Sequence, residues 1–311
     1  MRAQNSRLAV LAAIAGNVLI AITKFGAGMV TGSSAMISEG IHSLVDTGNG
    51  GLLLYGLHRA QRPADERFPF GYGKEIYFWS FVVAIMIFAV GAGVAMYEGL
   101  MHILDPSPAE HVAVNFVVLG ISAACEGMSW TVALREFRRG KGRYTYLQAV
   151  HRGKDPSVFM VLFEDTAALA GLLVATVGLG LAVVTGNPVW DGVASVLIGV
   201  ILAMTATWLA VETKGLLIGE AASPAVTESV RQIVTAHPAV VRLNECLSLH
   251  MGPDFILLTA SIEFRDGLAT GEIERATAAL DRAIKAADPR IRRVFIEAAS
   301  CGQPARKAAA A

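Results

Sequence analysis

Six stretches of this 311-residue chain are apolar for long enough to cross a lipid bilayer. They run over residues 8–30, 35–57, 76–102, 112–134, 157–184 and 189–211. A spanning helix needs about 20 mainly apolar residues, because hydrocarbon offers the backbone no other hydrogen-bond partner. Pro106 and Pro188 fall in short gaps between the stretches, where helices have to end. Beyond Glu212 charged residues return, and no later stretch is long enough to span. The reading is an α-helical membrane protein: a six-helix transmembrane domain over 1–212, a small α+β domain over 213–300 and a frayed end over 301–311.

Composition closes off the other classes. Hydrophobic residues make up 54% of the chain and charged residues 17%, a balance opposite to that of a disordered protein. A large soluble domain carries about 25% charged residues, so that class is excluded too. Lys+Arg and Asp+Glu both number 26, and no basic block stands out, which argues against nucleic acid as a partner. Three cysteines (Cys125, Cys246 and Cys301) build neither a disulfide scaffold nor a four-cysteine zinc site. Arg2 and Arg7 precede the first span, but its apolar run exceeds the about 7–15 residues of a signal-peptide core. It reads as a retained helix.

The loops divide cleanly by charge. Residues 58–74 hold Arg59, Arg62, Arg67 and Lys74, and the loop between spans four and five holds Arg135, Arg138, Arg139, Lys141, Arg143, Arg152 and Lys154. The loops at 31–34, 104–111 and 185–188 contain no Lys or Arg. Basic loops stay on the cytoplasmic side, which places both termini and the soluble domain there. The expected location is a plasma membrane, the inner membrane of a bacterium. In the soluble part, Ser223-Pro224 starts a helix running to about residue 236, strands follow at 240–251 and 255–264, then a helix at 272–287 and a strand at 293–298. Gly252-Pro253-Asp254 is the turn between the first two strands. The order α-β-β-α-β fits a ferredoxin-like unit or one close to it.

Ionisable groups at membrane depth are costly, and are functional candidates for that reason. Span two carries Glu39, His42, Asp46 and Asn49 at spacings that put them on one side of a helix. His42 and Asp46 are four apart, so their side chains meet, and an imidazole with a carboxylate suits Zn²⁺ or a similar cation. Span five carries the adjacent pair Glu164-Asp165 about two turns into an apolar helix. Weaker signals are Cys125-Glu126 in span four, and Asn17 and Lys24 in span one, which hydrogen-bond between helices or snorkel. Glu98, His102 and His111 lie near the far interface as solvated groups. In the tail, Cys246 and His250 are four apart and share a strand face. No H-E-x-x-H and no P-loop is present, which removes a zincin-like protease and ATP-driven transport within this chain.

These pieces together resemble the cation diffusion facilitator transporters. The resemblance rests on six spans, the stripe Ser38-Glu39-x-x-His42-x-x-x-Asp46-x-x-Asn49, the loop Phe70-Gly71-Tyr72-Gly73-Lys74, a span-five aspartate and a ferredoxin-like tail, from about residue 8 to 298. It implies a homodimer in membrane lipid that exchanges a divalent transition metal for protons, exporting the metal from the cytoplasm. It implies metal ligands at His42 and Asp46 of the second span and Asp165 of the fifth. The family's fifth-helix histidine is Val161 here, and the local sequence resembles the branch with a Glu-Asp pair, so Glu164, Asn49 or a water closes the shell. Zinc is favoured as cargo, with Fe²⁺, Mn²⁺ and Co²⁺ open, and no permanently bound cofactor or enzymatic activity is expected. The family's secondary site in the first loop is absent, since Phe68 and Tyr72 stand beside Asp65 where histidines are often found. Few His or Asp stand where some relatives bind zinc in the tail. Lys74 is placed to pair with an acidic residue near the tail junction, such as Glu220. The rival reading is a non-transporting membrane sensor or scaffold acting through the soluble domain.

Overall fold

The computed structural model describes residues 2–31, 34–106, 112–142 and 145–299. The end at 301–311 lies outside them, as do the side chains of Glu39 and His42 and all of His111. The chain forms two compact units, one of Met1–Pro63 with Glu75–Lys214, the other of Ala64–Lys74 with Gly215–Ala311.

The first unit is built from long helices: α1 (Arg2–Thr31), α2 (Ser34–Arg59), α3 (Glu75–Leu104), α4 (Val112–Lys141), α6 (Pro156–Thr185) and α7 (Val189–Ile218), with a short α5 (Tyr146–Arg152) before α6. Among the described residues, α3, α4, α6 and α7 are long and apolar enough to cross a membrane, and α1 has an apolar core at Val10–Gly26. The second helix falls below that mark because Glu39, His42, Asp46 and Asn49 dilute its apolar residues. A polar stripe of this kind is tolerated only facing other helices or a wet cavity. A π-helical turn at Ile87–Ala92 interrupts α3.

Helix α1 packs against α2, α4 and α6, and α4 packs against α6. The inward face of α4 is a stripe of small and apolar residues, Val118, Ser122, Cys125, Ser129, Ala133 and Phe137, all buried. Their spacing of three or four is the helical repeat, so one continuous face is covered. Gly99 of α3 meets Gly192 of α7 backbone to backbone: a Cβ on Gly99 would lie 2.8 Å from the Gly192 carbonyl oxygen. Small residues at such crossings are how helices associate where lipid removes the hydrophobic drive. Asp155 caps α6, accepting from the Ser157 N–H at 3.1 Å and its hydroxyl at 2.6 Å, with Pro156 in the first turn. Helix α5 was not among the expected elements. A Thr145–Gln148 capping box starts it.

One end of this unit gathers the basic loops. Arg59 at the end of α2 pairs with Glu75 at the start of α3 at 2.9 Å. The Tyr77 hydroxyl donates to the Lys154 carbonyl at 3.1 Å, which brings the start of α3 beside the lead-in to α6.

The second unit contains α8 (Pro224–Thr235), β1 (Val240–Gly252), β2 (Phe255–Phe264), α9 (Thr270–Ala287) and β3 (Ile291–Ala298). The sheet order is β1-β2-β3, with β1 and β2 antiparallel and β2 and β3 parallel. This is the α-β-β-α-β order read from the sequence, with each element within two residues of its expected limits. Along β2, Ile256, Leu258, Ala260, Ile262 and Phe264 are buried, the alternation of a sheet with one covered face. Val230 and Val234 of α8 and Ala276, Leu280 and Ile284 of α9 complete the core. On the open face Leu247, Thr259 and Phe295 stand in register across the three strands, and all are exposed.

The 64–74 loop belongs to this second unit. Asp65 accepts from the Phe68 N–H at 2.7 Å and the Tyr72 hydroxyl at 2.6 Å. Gly71 has φ +81°, and a Cβ on Gly73 would run into the Met251 carbonyl, so glycine is required at both. The Lys74 ammonium donates to the Leu217 carbonyl at 3.4 Å, three residues before Glu220.

Candidate metal site

Three helices of the first unit bring carboxylates together. Asp46 comes from α2, Glu126 from α4, and Glu164 and Asp165 from α6. The four lie within electrostatic range of one another. Asp165 is buried at 4% exposure, and its Oδ2 accepts from the Ser129 hydroxyl of α4 at 2.7 Å. One residue further on in each helix, the Trp130 indole donates to the Thr166 hydroxyl at 3.0 Å and ties the same two helices again. These bonds fix the rotation of α6, so Asp165 faces α4 and α2 rather than lipid.

Glu164 also faces the interior. As read from a helical wheel it points about 100° from Asp165. Its long side chain nevertheless reaches Asn49 of α2, buried at 2% exposure, and hydrogen-bonds with it. The other oxygen, Oε1, is buried with no hydrogen-bond partner. A buried acceptor left open is costly, and a cation or a proton is what would fill it.

Of the four residues expected at the site, Asp46, Glu164 and Asp165 lie within electrostatic range of one another. The side chain of the fourth, His42, lies outside the described residues, one turn before Asp46 on α2. Among the described residues, no three His, Cys, Asp or Glu side chains converge into a cage for a metal ion. Val161 is buried at 1% exposure, four residues before Asp165 and so on the same side of α6.

One neighbour of these carboxylates was underweighted in the sequence. Glu126 shares the inward side of α4 with Ser129, three residues on, and that Glu-x-x-Ser spacing was the available signal. Lys24, expected to hydrogen-bond between helices or to snorkel, does the first: it is buried at 8% exposure, and its ammonium donates to the Ser43 hydroxyl of α2 at 3.1 Å. Cys125 packs as a small buried side chain at 3% exposure. At the far end His102, read as solvated, is half-buried with Nε2 3.9 Å from the Asp191 carboxylate of α7.

The second unit offers a different picture. Cys246 and His250 share the covered side of β1. Burial pushes the Cys246 thiol up from its ordinary pKa, with a smaller opposing pull from Arg231, so it stays protonated and inert. His250 is 1% exposed with Nδ1 3.3 Å from the Gly252 carbonyl. Asp65 accepts from the Phe68 N–H and the Tyr72 hydroxyl within the 64–74 loop.

The model of the cation efflux transmembrane domain matches residues 10–218, which covers all six long helices. The chain belongs to the cation efflux family. Cation efflux proteins, the cation diffusion facilitators, are membrane transporters and not enzymes, and the six-helix unit with its small α+β tail is that architecture. The chain is 33% identical over 264 residues to the mouse protein named proton-coupled zinc antiporter SLC30A9, mitochondrial, covering 84% of this chain and 46% of that one. It is 34% identical over 263 residues to metal tolerance protein C4 of Arabidopsis thaliana, covering 84% and 58%. It is 24% identical over 243 residues to magnetosome protein MamB of Magnetospirillum gryphiswaldense, covering 78% and 76%. The chain thus spans about half the length of the first two relatives.

Proposed function

We propose that this cation efflux protein exchanges a divalent transition-metal ion, zinc first among Zn²⁺, Fe²⁺, Mn²⁺ and Co²⁺, for protons across the membrane. The observation that supports the reading is that Asp46 of α2 and Glu164 and Asp165 of α6 lie within electrostatic range of one another inside the helical unit. Carboxylates gathered in hydrocarbon exclude one another unless a cation or protons compensate them. A divalent ion does so when His42, Asp46 and Asp165 take it, with Glu164 as the fourth group. Protons do so when the ion leaves. One pocket that holds either, but not both, couples the two fluxes without further machinery. Tilting of helices then opens the pocket to each side in turn. The names of the mouse and Arabidopsis relatives, a proton-coupled zinc antiporter and a metal tolerance protein, agree with this cargo. The fifth-helix pair Glu164-Asp165 supports reading the chain as one of the branch that uses Glu-Asp there.

The direction is export, with the tail and both termini in the cytoplasm of a bacterial cell. The basic residues of the 58–74 and 135–154 loops support that side, since they gather at one end of the helical unit. Segment 1–212 carries transport, and 213–300 pairs two copies as a homodimer. The exposed row Leu247, Thr259 and Phe295 on the open sheet face supports pairing through the tail.

Reconstitution in liposomes with a trapped zinc dye tests the pocket. Asp46→Ala and Asp165→Ala are each expected to abolish zinc uptake while leaving protein insertion intact. Uptake at the wild-type rate in both variants overturns the assignment.

A further inference from the structure

Lys24 is a buried cation beside the carboxylates of α2, α4 and α6, within range of Glu126. It comes from α1, the helix that packs against α2, α4 and α6 together. Its ammonium is anchored on the Ser43 hydroxyl at 3.1 Å, and Ser43 is itself buried at 4% exposure. Ser43 stands next to His42 and three residues before Asp46 in the chain. Glu126, which lies within range of Asp46 and Asp165, is also within range of Lys24. A lysine near a membrane surface ordinarily extends its head to water. This one turns inward, although an ammonium at membrane depth is costly, and Glu126 is the carboxylate within range to offset it.

We propose that Lys24 is a tethered counter-cation that competes with the transported metal for the carboxylates, a positioning residue that sets how tightly the pocket holds its cargo. The proposal rests on the pocket assigned above. With the pocket empty, the ammonium offsets part of the carboxylate charge, so the metal-free protein need not collapse or strip another ion from solution. With a divalent ion bound, the same ammonium is a like charge close by, and its repulsion favours release. A pocket of carboxylates and imidazole alone would hold zinc strongly, and a transporter that held it strongly would turn over slowly. The neighbouring glutamate gives the ammonium a second partner when metal occupies the site. No bond is made or broken in this role.

The test uses the full chain in detergent for zinc-binding titrations and in proteoliposomes for zinc flux. Lys24→Gln is expected to bind zinc about tenfold tighter, because removing one unit charge at this range changes the interaction by more than thermal energy. Its KM and maximal rate are both expected to fall, since release slows. Lys24→Arg, which keeps the charge, is expected to resemble wild type in both. Should Lys24→Gln fail to insert, Lys24→Met keeps the length and suits the membrane, with the same expected outcome. Unchanged zinc affinity and KM in the neutral variants, or an arginine variant that behaves like the glutamine one, overturns the proposal. Asp46→Ala run alongside separates the two ideas. If it loses flux while Lys24→Gln matches wild type, only the counter-cation role falls. If Asp46→Ala transports normally, the pocket itself is misplaced and the lysine role falls with it.

Discussion

In the second unit charges meet in opposite pairs; in the interior of the first, like charges gather. Arg290 closes on Asp288 at 2.6 Å, Arg242 on Glu263 at 3.1 Å and Lys285 on Asp281 at 2.7 Å, all at the margin of an apolar core. Inside the helical unit Asp46, Glu126, Glu164 and Asp165 lie within range of one another, and Glu126 is also within range of Lys24. Paired surface charges contribute little and cost little. Gathered carboxylates in hydrocarbon cost a great deal, so a fold keeps them only where a mobile cation completes them. The difference teaches which polar groups hold a structure together and which hold cargo. It also predicts that mutations in the two units change different observables.

The largest effect is expected from adding a ligand. Val161→His puts an imidazole on the Asp165 side of α6, and zinc affinity is expected to rise by about tenfold or more, as a second nitrogen ligand joins the shell. Isothermal titration with zinc checks it; no change means that this side of α6 does not meet the metal. Next comes Ser129→Ala, which removes the donor that orients Asp165. Loss of such an orienting hydrogen bond typically weakens metal binding by about tenfold. Thermal stability is expected to stay within about 1 kcal/mol, and a variant that instead unfolds while binding zinc normally would blur the division between the units.

The smallest effect belongs to the tail. Hydrogen bonds from Arg290 hold the Asp288 carboxyl below the usual carboxylate range, against a smaller opposing effect of burial. A depressed folded-state value means that the contribution is complete above the ordinary carboxylate range and is lost as pH falls through the folded value. Asp288→Asn is expected to cost about 0.5–1 kcal/mol at neutral pH and less in acid. Hydrogen exchange at the β2 and β3 amides of the full chain measures it. Zinc affinity should not move.

Much of this was present in the residues before any geometry. The alternation of Ile256, Leu258, Ala260, Ile262 and Phe264 announces a half-covered strand, and the long apolar runs announce helices. His42 and Asp46 stand out because a polar stripe in a span has few explanations. What local patterns do not carry is the neighbour across the gap. A helical wheel turns Glu164 away from Asp165, yet a glutamate side chain is long enough to swing to Asn49 on another helix. For Lys24 the sequence left open a bond between helices or a snorkelling head, and the packing of α1 against α2, α4 and α6 decides for the first. The short α5 hid in a basic loop, although its Thr145-x-x-Gln148 capping box was there to be read. The close meeting of Gly99 with Gly192 is likewise a tertiary fact that neither glycine signals alone.

Zinc K-edge X-ray absorption on the metal-loaded protein tests the account at its centre. The expected shell is light-atom only, near 2.0–2.1 Å, with the outer-shell scattering of one imidazole, from His42, and the rest oxygen from Asp46, Asp165 and Glu164. Asp165→Ala should change that shell, and Val161→His should add a second imidazole signature. A shell with a sulfur scatterer at about 2.3 Å, or one made of water alone that no change on α2 or α6 alters, would contradict it.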